Sequence, residues 1–388
     1  MMRAASKNKI PTKIITIIIV LMLLWAPTAL AEQEMEKGYY TVYEEGTNKK
    51  IFSTARVVSI GDQYLNEQNI LYEIVKVSGN KAYAKFKEEV DIEQALELPE
   101  SQVTSEIFQD KQDTLKTSGE KKEKVVAIYH THSDESYIPT DGKASIPYKG
   151  GIFKVGSALK TALEKKGIKV IQSYQPHDPH DSMAYQRSRR TATELLKNVP
   201  DAIIDIHRDG VPAEEYQGQV KGQTIAKMQL VVGRQNPQLN TIDNFAKQIK
   251  ATADKKYPGL IKGIFYGKGG FNQDLYPRSI LIEAGTYTNS RYKAQDGANI
   301  LADVIATTLY GEDYEKEIDL SGRKTTEVPK EGSNTFKTLL WVIGLIIVGF
   351  GGYMLISTGG INELSAKLKS FSSRKSTLNE KKKDNDNE

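Results

Sequence analysis

The sequence predicts an α/β protein: a mixed, mostly parallel sheet flanked by helices, preceded by a small β-rich module and followed by one transmembrane helix. Three observations carry this. Between residues 124 and 311, short apolar runs alternate with helix-periodic stretches, the rhythm of βα units with helices on both sheet faces. Between 38 and 97, apolar and polar residues alternate around a turn signal, as in half-buried strands. From Thr338 to Ile356 the chain is apolar and uncharged, long enough to cross the hydrocarbon of a bilayer.

Taken in order, residues 1–31 read as a secretory signal. Arg3, Lys7, Lys9 and Lys13 precede the apolar run Ile14 to Trp25, and Ala29-Leu30-Ala31 offers a small-x-small cleavage site. Residues 32–97 form the small β-rich module. Within it, Leu71 to Val77 leads through Ser78-Gly79-Asn80 into Lys81 to Phe86, a hairpin with no evident chemistry. Residues 98–123 are a polar linker, and 312–337 are a second one. Residues 338–356 are the membrane helix, with Trp341 and Tyr353 near its ends. Residues 357–388 are a basic tail, placed in the cytoplasm by the positive-inside rule. The expected product is a single-pass protein of the cell membrane whose folded part lies on the extracytoplasmic side.

In the α/β stretch, Val125 to Tyr129 is a buried strand. Gly151 to Lys166 is a helix stopping at Gly167, and Ile168 to Tyr174 is a strand. Ser182 to Leu196 is a helix with Asp181 as N-cap. Ala202 to Ile206, Ile225 to Val232 and Ser279 to Glu283 are strands, with helices near 239–255 and over Ala294 to Leu309. No internal repeat or phosphate-binding glycine loop is present. Gly267-Lys268-Gly269-Gly270 is too short a signal for phosphate.

Composition narrows the chemistry. Lys plus Arg (53) nearly balance Asp plus Glu (49), and much of the surplus sits at the ends, so nothing argues for nucleic acid. Cysteine is absent, which removes thiolate metal sites, disulfides and cysteine nucleophiles. A transition-metal site must then use His, Asp or Glu, and only five His exist: His130, His132, His177, His180 and His207.

Ligands of open α/β sheets bind at strand carboxyl ends. Here one strand runs into His130-Thr131-His132-Ser133-Asp134-Glu135, another into His207-Arg208-Asp209, and a third into Glu283. His132 and Glu135 at H-x-x-E spacing, with His207 from a second strand, make the two-His, one-carboxylate set common to catalytic Zn²⁺. Glu283 is the candidate general base. His130 either replaces His132 as ligand or orients a ligand. The second role is favoured, because only His132 has Glu135 at that spacing. Asp205 and Asp209 are candidates for the same support, Asp205 equally for a strand-end cap. Arg208 binds a substrate carboxylate or makes a surface salt bridge. His177 and His180, in a polar loop, are expected in solvent. Tyr287 and Asn289 are candidates to line a substrate groove.

Residues 128–139 (IYHTHSDESYIP), 205–209 (DIHRD) and 280–287 (ILIEAGTY) together resemble the catalytic domain of the stage II sporulation protein P family. The resemblance covers residues 124–311. It implies a domain similar to the zinc-dependent N-acetylmuramoyl-L-alanine amidases, acting on the amide between muramic acid and the stem peptide, and also on peptide cross-links. It places the family's metal-site histidines on His132 and His207 and its carboxylates on Glu135 and Glu283. It implies peptidoglycan as substrate and a membrane complex with stage II sporulation proteins D and M. The β-rich module and the C-terminal membrane helix depart from the family's well-known member, so a role elsewhere in envelope remodelling fits as well. Two other readings stay open: a carboxypeptidase-type zinc peptidase on stem peptides, and a non-catalytic wall-binding protein.

Overall fold

The computed structural model describes residues 34–35, 37–97 and 123–312. The expected signal segment, most of both linkers, the expected membrane helix at 338–356 and the basic tail lie outside the described residues. Among the described residues, no helix is long and apolar enough to cross a membrane.

Eleven strands form one sheet in the order β2-β1-β5-β4-β3-β12-β11-β13-β8-β6-β7. The β-rich stretch supplies β1 (Tyr40–Glu44), β2 (Lys50–Thr54), β3 (Gln63–Leu65), β4 (Ile70–Ser78) and β5 (Lys81–Glu89). The α/β stretch supplies β6 (Val125–Tyr129), β7 (Lys169–Gln172), β8 (Ala202–Asp209), β11 (Met228–Gly233), β12 (Ile261–Gly267) and β13 (Ser279–Thr286). Strands β9 (Gln217–Val220) and β10 (Gln223–Ala226) form a separate hairpin. The expected β4–β5 hairpin turns at Gly79-Asn80, where Gly79 takes the φ of 56° that the tight turn requires.

The two stretches are therefore joined. β3 pairs antiparallel with β12, setting Leu65 opposite Ile264 and Tyr64 opposite Phe265. On the other side of β12 the sheet is mostly parallel. β13, β8, β6 and β7 run together, while β11 is antiparallel to β13.

Strand parity sorts the core into two faces. Val126, Ile128, Ile204, Ile206, Ile280 and Ile282 point to one face. There they pack under helices α1 (Ile152–Lys165), α3 (Leu239–Lys256) and α4 (Arg291–Tyr310). Ala127, Tyr129 and Ile203 point to the other face, under helix α2 (Ala184–Leu196). Further along that face, Val231, Phe265 and Leu281 are covered by Val42, Phe52, Ile74 and Ala82 of the β-rich stretch. That stretch thus does a helix's work as a cover for half of one sheet face.

Several boundaries differ from expectation. The stretch Ile225 to Val232 is split between β10 and β11, because Lys227 turns its N–H to the Tyr216 carbonyl and its own carbonyl to the Gly285 N–H. Asp181 does not cap the helix barrel of α2. Its carboxylate accepts instead from the N–H of Met183, which precedes the helix. β12 carries no alternation to announce it, because all seven of its residues are buried.

Candidate functional site

The parity that sends Ile204 and Ile206 under the helices sends Asp205, His207 and Asp209 to the opposite face. In β13 the same alternation sends Glu283 there, between Ile282 and Ala284. β13 and β8 pair in parallel register with Glu283 beside His207. β6 ends at Tyr129, and residues 130–135 leave it as a turn whose side chains no longer alternate.

His132, Glu135, His207 and Glu283 are all buried, none more than 4% exposed. His207 Nδ1 lies 3.6 Å from Glu135 Oε1, and the His132 and His207 rings meet edge to face at 5.2 Å. Glu135 Oε2 accepts the Arg208 backbone N–H at 2.9 Å, which leaves Oε1 facing His207. The turn that carries Glu135 packs tightly: a Cβ on Gly150 would collide with the Glu135 carbonyl. Burial alone would lower the His207 pKa, but Asp205 and Glu135 outweigh it and raise it well above its ordinary value. Burial, reinforced by His180, holds His132 well below its ordinary value.

His130 belongs to a different environment. Its Nδ1 meets the Ile206 carbonyl at 3.0 Å, so Nδ1 donates, and Nε2 accepts from the Gln172 amide at 3.1 Å. Its ring packs edge-on against Phe153 of α1, and burial pushes its pKa down to about 4. Both nitrogens of this neutral ring are engaged on the helix side of the turn. Asp205 holds the turn from the other side, accepting the Thr131 N–H at 2.9 Å and the Thr131 hydroxyl at 2.6 Å while lying 3.0 Å from His207 Nε2.

Of the two loop histidines expected in solvent, His180 is exposed and His177 is not. His177 is buried, its ring bonded to the His130 carbonyl and the Thr191 hydroxyl. His180 stacks flat on His132, with ring centroids 3.8 Å apart, and bonds Asp134 through Nδ1 at 3.0 Å. Burial opposes its charge, yet the bonds to Asp134 and Glu34 push His180 up to about 10. Arg208 is buried rather than on the surface. It donates to the Ala144 carbonyl, lies 3.8 Å from Glu135 Oε1 and sits over the Tyr287 ring. Asn289 holds its own turn by accepting the Thr286 N–H.

The β-rich stretch, read from sequence as having no chemistry, reaches the centre of this cluster. Arg56, in the segment after β2, donates from Nε (2.9 Å) and Nη2 (2.6 Å) to Glu283 Oε1. Its Nη1 reaches the Tyr185 hydroxyl at 3.3 Å, and its guanidinium covers Phe271. Burial pushes the Glu283 carboxyl up to about 7 against the opposing pull of Arg56. Asp209 clamps the same segment to β8 by accepting the Ala55 N–H and, through its other oxygen, the Tyr216 hydroxyl. No local pattern in the sequence marks Arg56, whose partner is 227 residues away.

The donor set fits a cation. Among the described residues, His132 Nδ1, Glu135 Oε1, His207 Nδ1 and Glu283 Oε2 are buried without a hydrogen-bond partner. Each such atom costs about 1–3 kcal/mol, and the first three are the ligand types that a divalent metal takes from a cysteine-free chain. Glu34, Glu135 and His207 each bring a ligand atom within 4.8 Å of the others, and Glu34, His132 and His180 form a second such group. The two groups meet at Glu34, and among the described residues His132 falls in a different group from Glu135 and His207.

Fold and cluster together define a helix-flanked α/β protein with a candidate metal site at the carboxyl ends of adjacent strands. The chain belongs to the Stage II sporulation protein P family, whose sequence profile matches residues 59–306. It is 33% identical over 259 residues to Stage II sporulation protein P of Bacillus subtilis (strain 168), covering 62% of this chain and 63% of that one. The match thus spans less than two thirds of that relative's length. An N-acetylmuramoyl-L-alanine amidase from Clostridium difficile 630 aligns at 17% identity over 48% of this chain and 97% of its own, with a TM-score of 0.31. An N-acetylmuramoyl-L-alanine amidase of Nostoc punctiforme aligns at 14% identity over 49% and 97%, with a TM-score of 0.28. At those scores the two structures carry no argument about this site.

Proposed function

We propose that this chain is a zinc-dependent peptidoglycan hydrolase that cleaves the amide between N-acetylmuramic acid and the L-alanine of the stem peptide. The observation that carries the reading is the set of three unpaired, buried ligand atoms on His132, Glu135 and His207 beside the half-paired carboxyl of Glu283. His132, Glu135 and His207 would hold Zn²⁺, which supplies Lewis acidity to a carbonyl and acidity to a water.

The chain's own residues do the rest. Glu283 has a pKa near 7, where a general base works best at neutral pH. Its Oε1 is fixed by Arg56, so Oε2 is the oxygen left to take the proton of the attacking water and pass it to the leaving alanine nitrogen. Arg208 steadies Glu135 through its backbone N–H. Asp205 Oδ1 stands 3.0 Å from His207 Nε2, which favours Nδ1 as the nitrogen offered to the metal.

The sequence signals at both ends support export and single-pass anchoring in the cell membrane, with the site on the extracytoplasmic side where peptidoglycan lies. Family membership supports a role in sporulation, alongside stage II sporulation proteins D and M, or in other envelope remodelling. Cross-link endopeptidase activity is a second outcome that the same site chemistry allows.

The test uses the full chain purified in detergent and incubated with peptidoglycan. Mass spectrometry should find new amino-terminal alanine and unsubstituted muramic acid. Chelators and His132→Ala should both abolish them, and full activity in His132→Ala would sink the metal assignment. Release of a free terminal amino acid without new muramic ends would mark a carboxypeptidase-type enzyme. Wall binding with no product and no metal would mark a non-catalytic protein.

A further inference from the structure

The cluster has a fifth member that sequence did not suggest. Glu34 lies far from the α/β strands in sequence, yet its carboxylate stands over their ends. Oε1 is 3.6 Å from Arg56 Nη2 and 4.0 Å from His132 Nε2, and Oε2 is 3.3 Å from His180 Nε2. The same side chain offers a ligand atom to both metal-compatible groups. It is also more exposed than the three proposed ligands: its side chain is 14% exposed, against 4% for His132 and 0% for Glu135 and His207.

Glu34 makes an isolated antiparallel bridge to Arg56, and Met35 N–H bonds the Ala55 carbonyl at 2.8 Å. Glu34 lies outside the named strands, so its carboxylate is held by side-chain charge rather than by a ladder of backbone bonds. A hydrolase needs a metal position open to water or to the scissile carbonyl. Here the three proposed ligands are covered, and the covering group is itself a carboxylate.

We infer that Glu34 is a displaceable fourth ligand: its carboxylate takes the substrate-facing position of the metal held by His132, Glu135 and His207, and must leave before substrate binds. This rests on the metal reading given under Proposed function. It makes the Glu34 carboxylate a self-inhibitory group, released by whatever competes for the same position.

The test is Co²⁺ loading of the full chain in detergent, comparing wild type with Glu34→Gln and Glu34→Ala. The visible Co²⁺ spectrum reports coordination without turnover. Both variants should change that spectrum, weaken Co²⁺ binding about tenfold or more, bind acetohydroxamate more tightly than wild type, and hydrolyse peptidoglycan faster. Co²⁺ bound with the same spectrum and the same acetohydroxamate affinity in all three proteins would overturn this inference and leave the metal reading standing. A changed spectrum with lost hydrolysis would make Glu34 a permanent ligand and overturn its displacement. No Co²⁺ bound by any of the three would overturn the metal reading and this inference together.

Discussion

The strand ends of β6, β8 and β13 and the segment after β2 furnish the same cluster by opposite routes. The strand ends follow from local rules. Parity in β8 and β13 places His207 and Glu283 on one face, and register places them side by side. The segment after β2 follows no such rule. Arg56 reaches Glu283 only because the β-rich stretch continues the sheet through β3 and folds back across the face that α2 leaves bare. One region supplies the proposed ligands and base, and the other places a cation beside that base. A buried carboxyl with no cation would stay protonated, whereas one gripped by a guanidinium is drawn back toward ionisation.

The largest effect should come from the strand-end side. Glu283→Gln keeps an oxygen for Arg56 but cannot carry the proton, so kcat should fall about 10²–10⁴-fold with bound metal unchanged. A fall of less than tenfold would remove Glu283 from the base role.

Arg56→Ala tests the other side. It removes the cation that opposes burial, so the Glu283 pKa should rise above about 7 and the acid limb of the pH–rate profile should move up. Arg56→Lys should bring the limb part of the way back. An unmoved limb in Arg56→Ala would show the pair to be structural only.

Asp209→Ala should loosen the join between the two regions. Two donors from the β-rich segment and its neighbour, the Ala55 N–H and the Tyr216 hydroxyl, would lose their acceptor. Urea unfolding should show a loss of about 1–3 kcal/mol, and no change would mean that water replaces Asp209.

The smallest effect concerns His180 in the metal-free protein. Its folded pKa, about 10, lies above the ordinary 6.5. Its stabilising charge is therefore present in full below pH 6.5 and is lost as pH rises through 10. In chelator, the urea midpoint of wild type should decline across that window, and His180→Phe should flatten the decline.

Much of the site was legible before any coordinates. Three apolar runs ending in His, His and Glu mark strand ends of one sheet, and the absence of cysteine confines a metal to those residues. The sequence does not separate His130 from His132 by spacing alone, because a two-residue spacing puts both on one side only while the strand lasts. The strand stops at Tyr129, the chain turns, and the two rings part: His130 toward Phe153 and α1, His132 toward His207. His177 departs from its expected exposure for a related reason. A Pro- and Asp-rich loop reads as solvent-facing, but here Ser133 and Thr191 supply the bonds that let His177 bury, while His180 stays exposed.

What the sequence by itself determined is the βα rhythm, the face on which His207 and Glu283 lie, and the residue types open to a metal. These are consequences of periodicity and composition, which act over a few residues. What only the tertiary structure decided is that the β-rich stretch extends the same sheet, and that Arg56 and Glu34 close over the strand ends. Those contacts join residues far apart in the chain, and no local pattern records them. They exist because an uncovered sheet face and buried carboxylates both needed partners, and the returning chain supplied them.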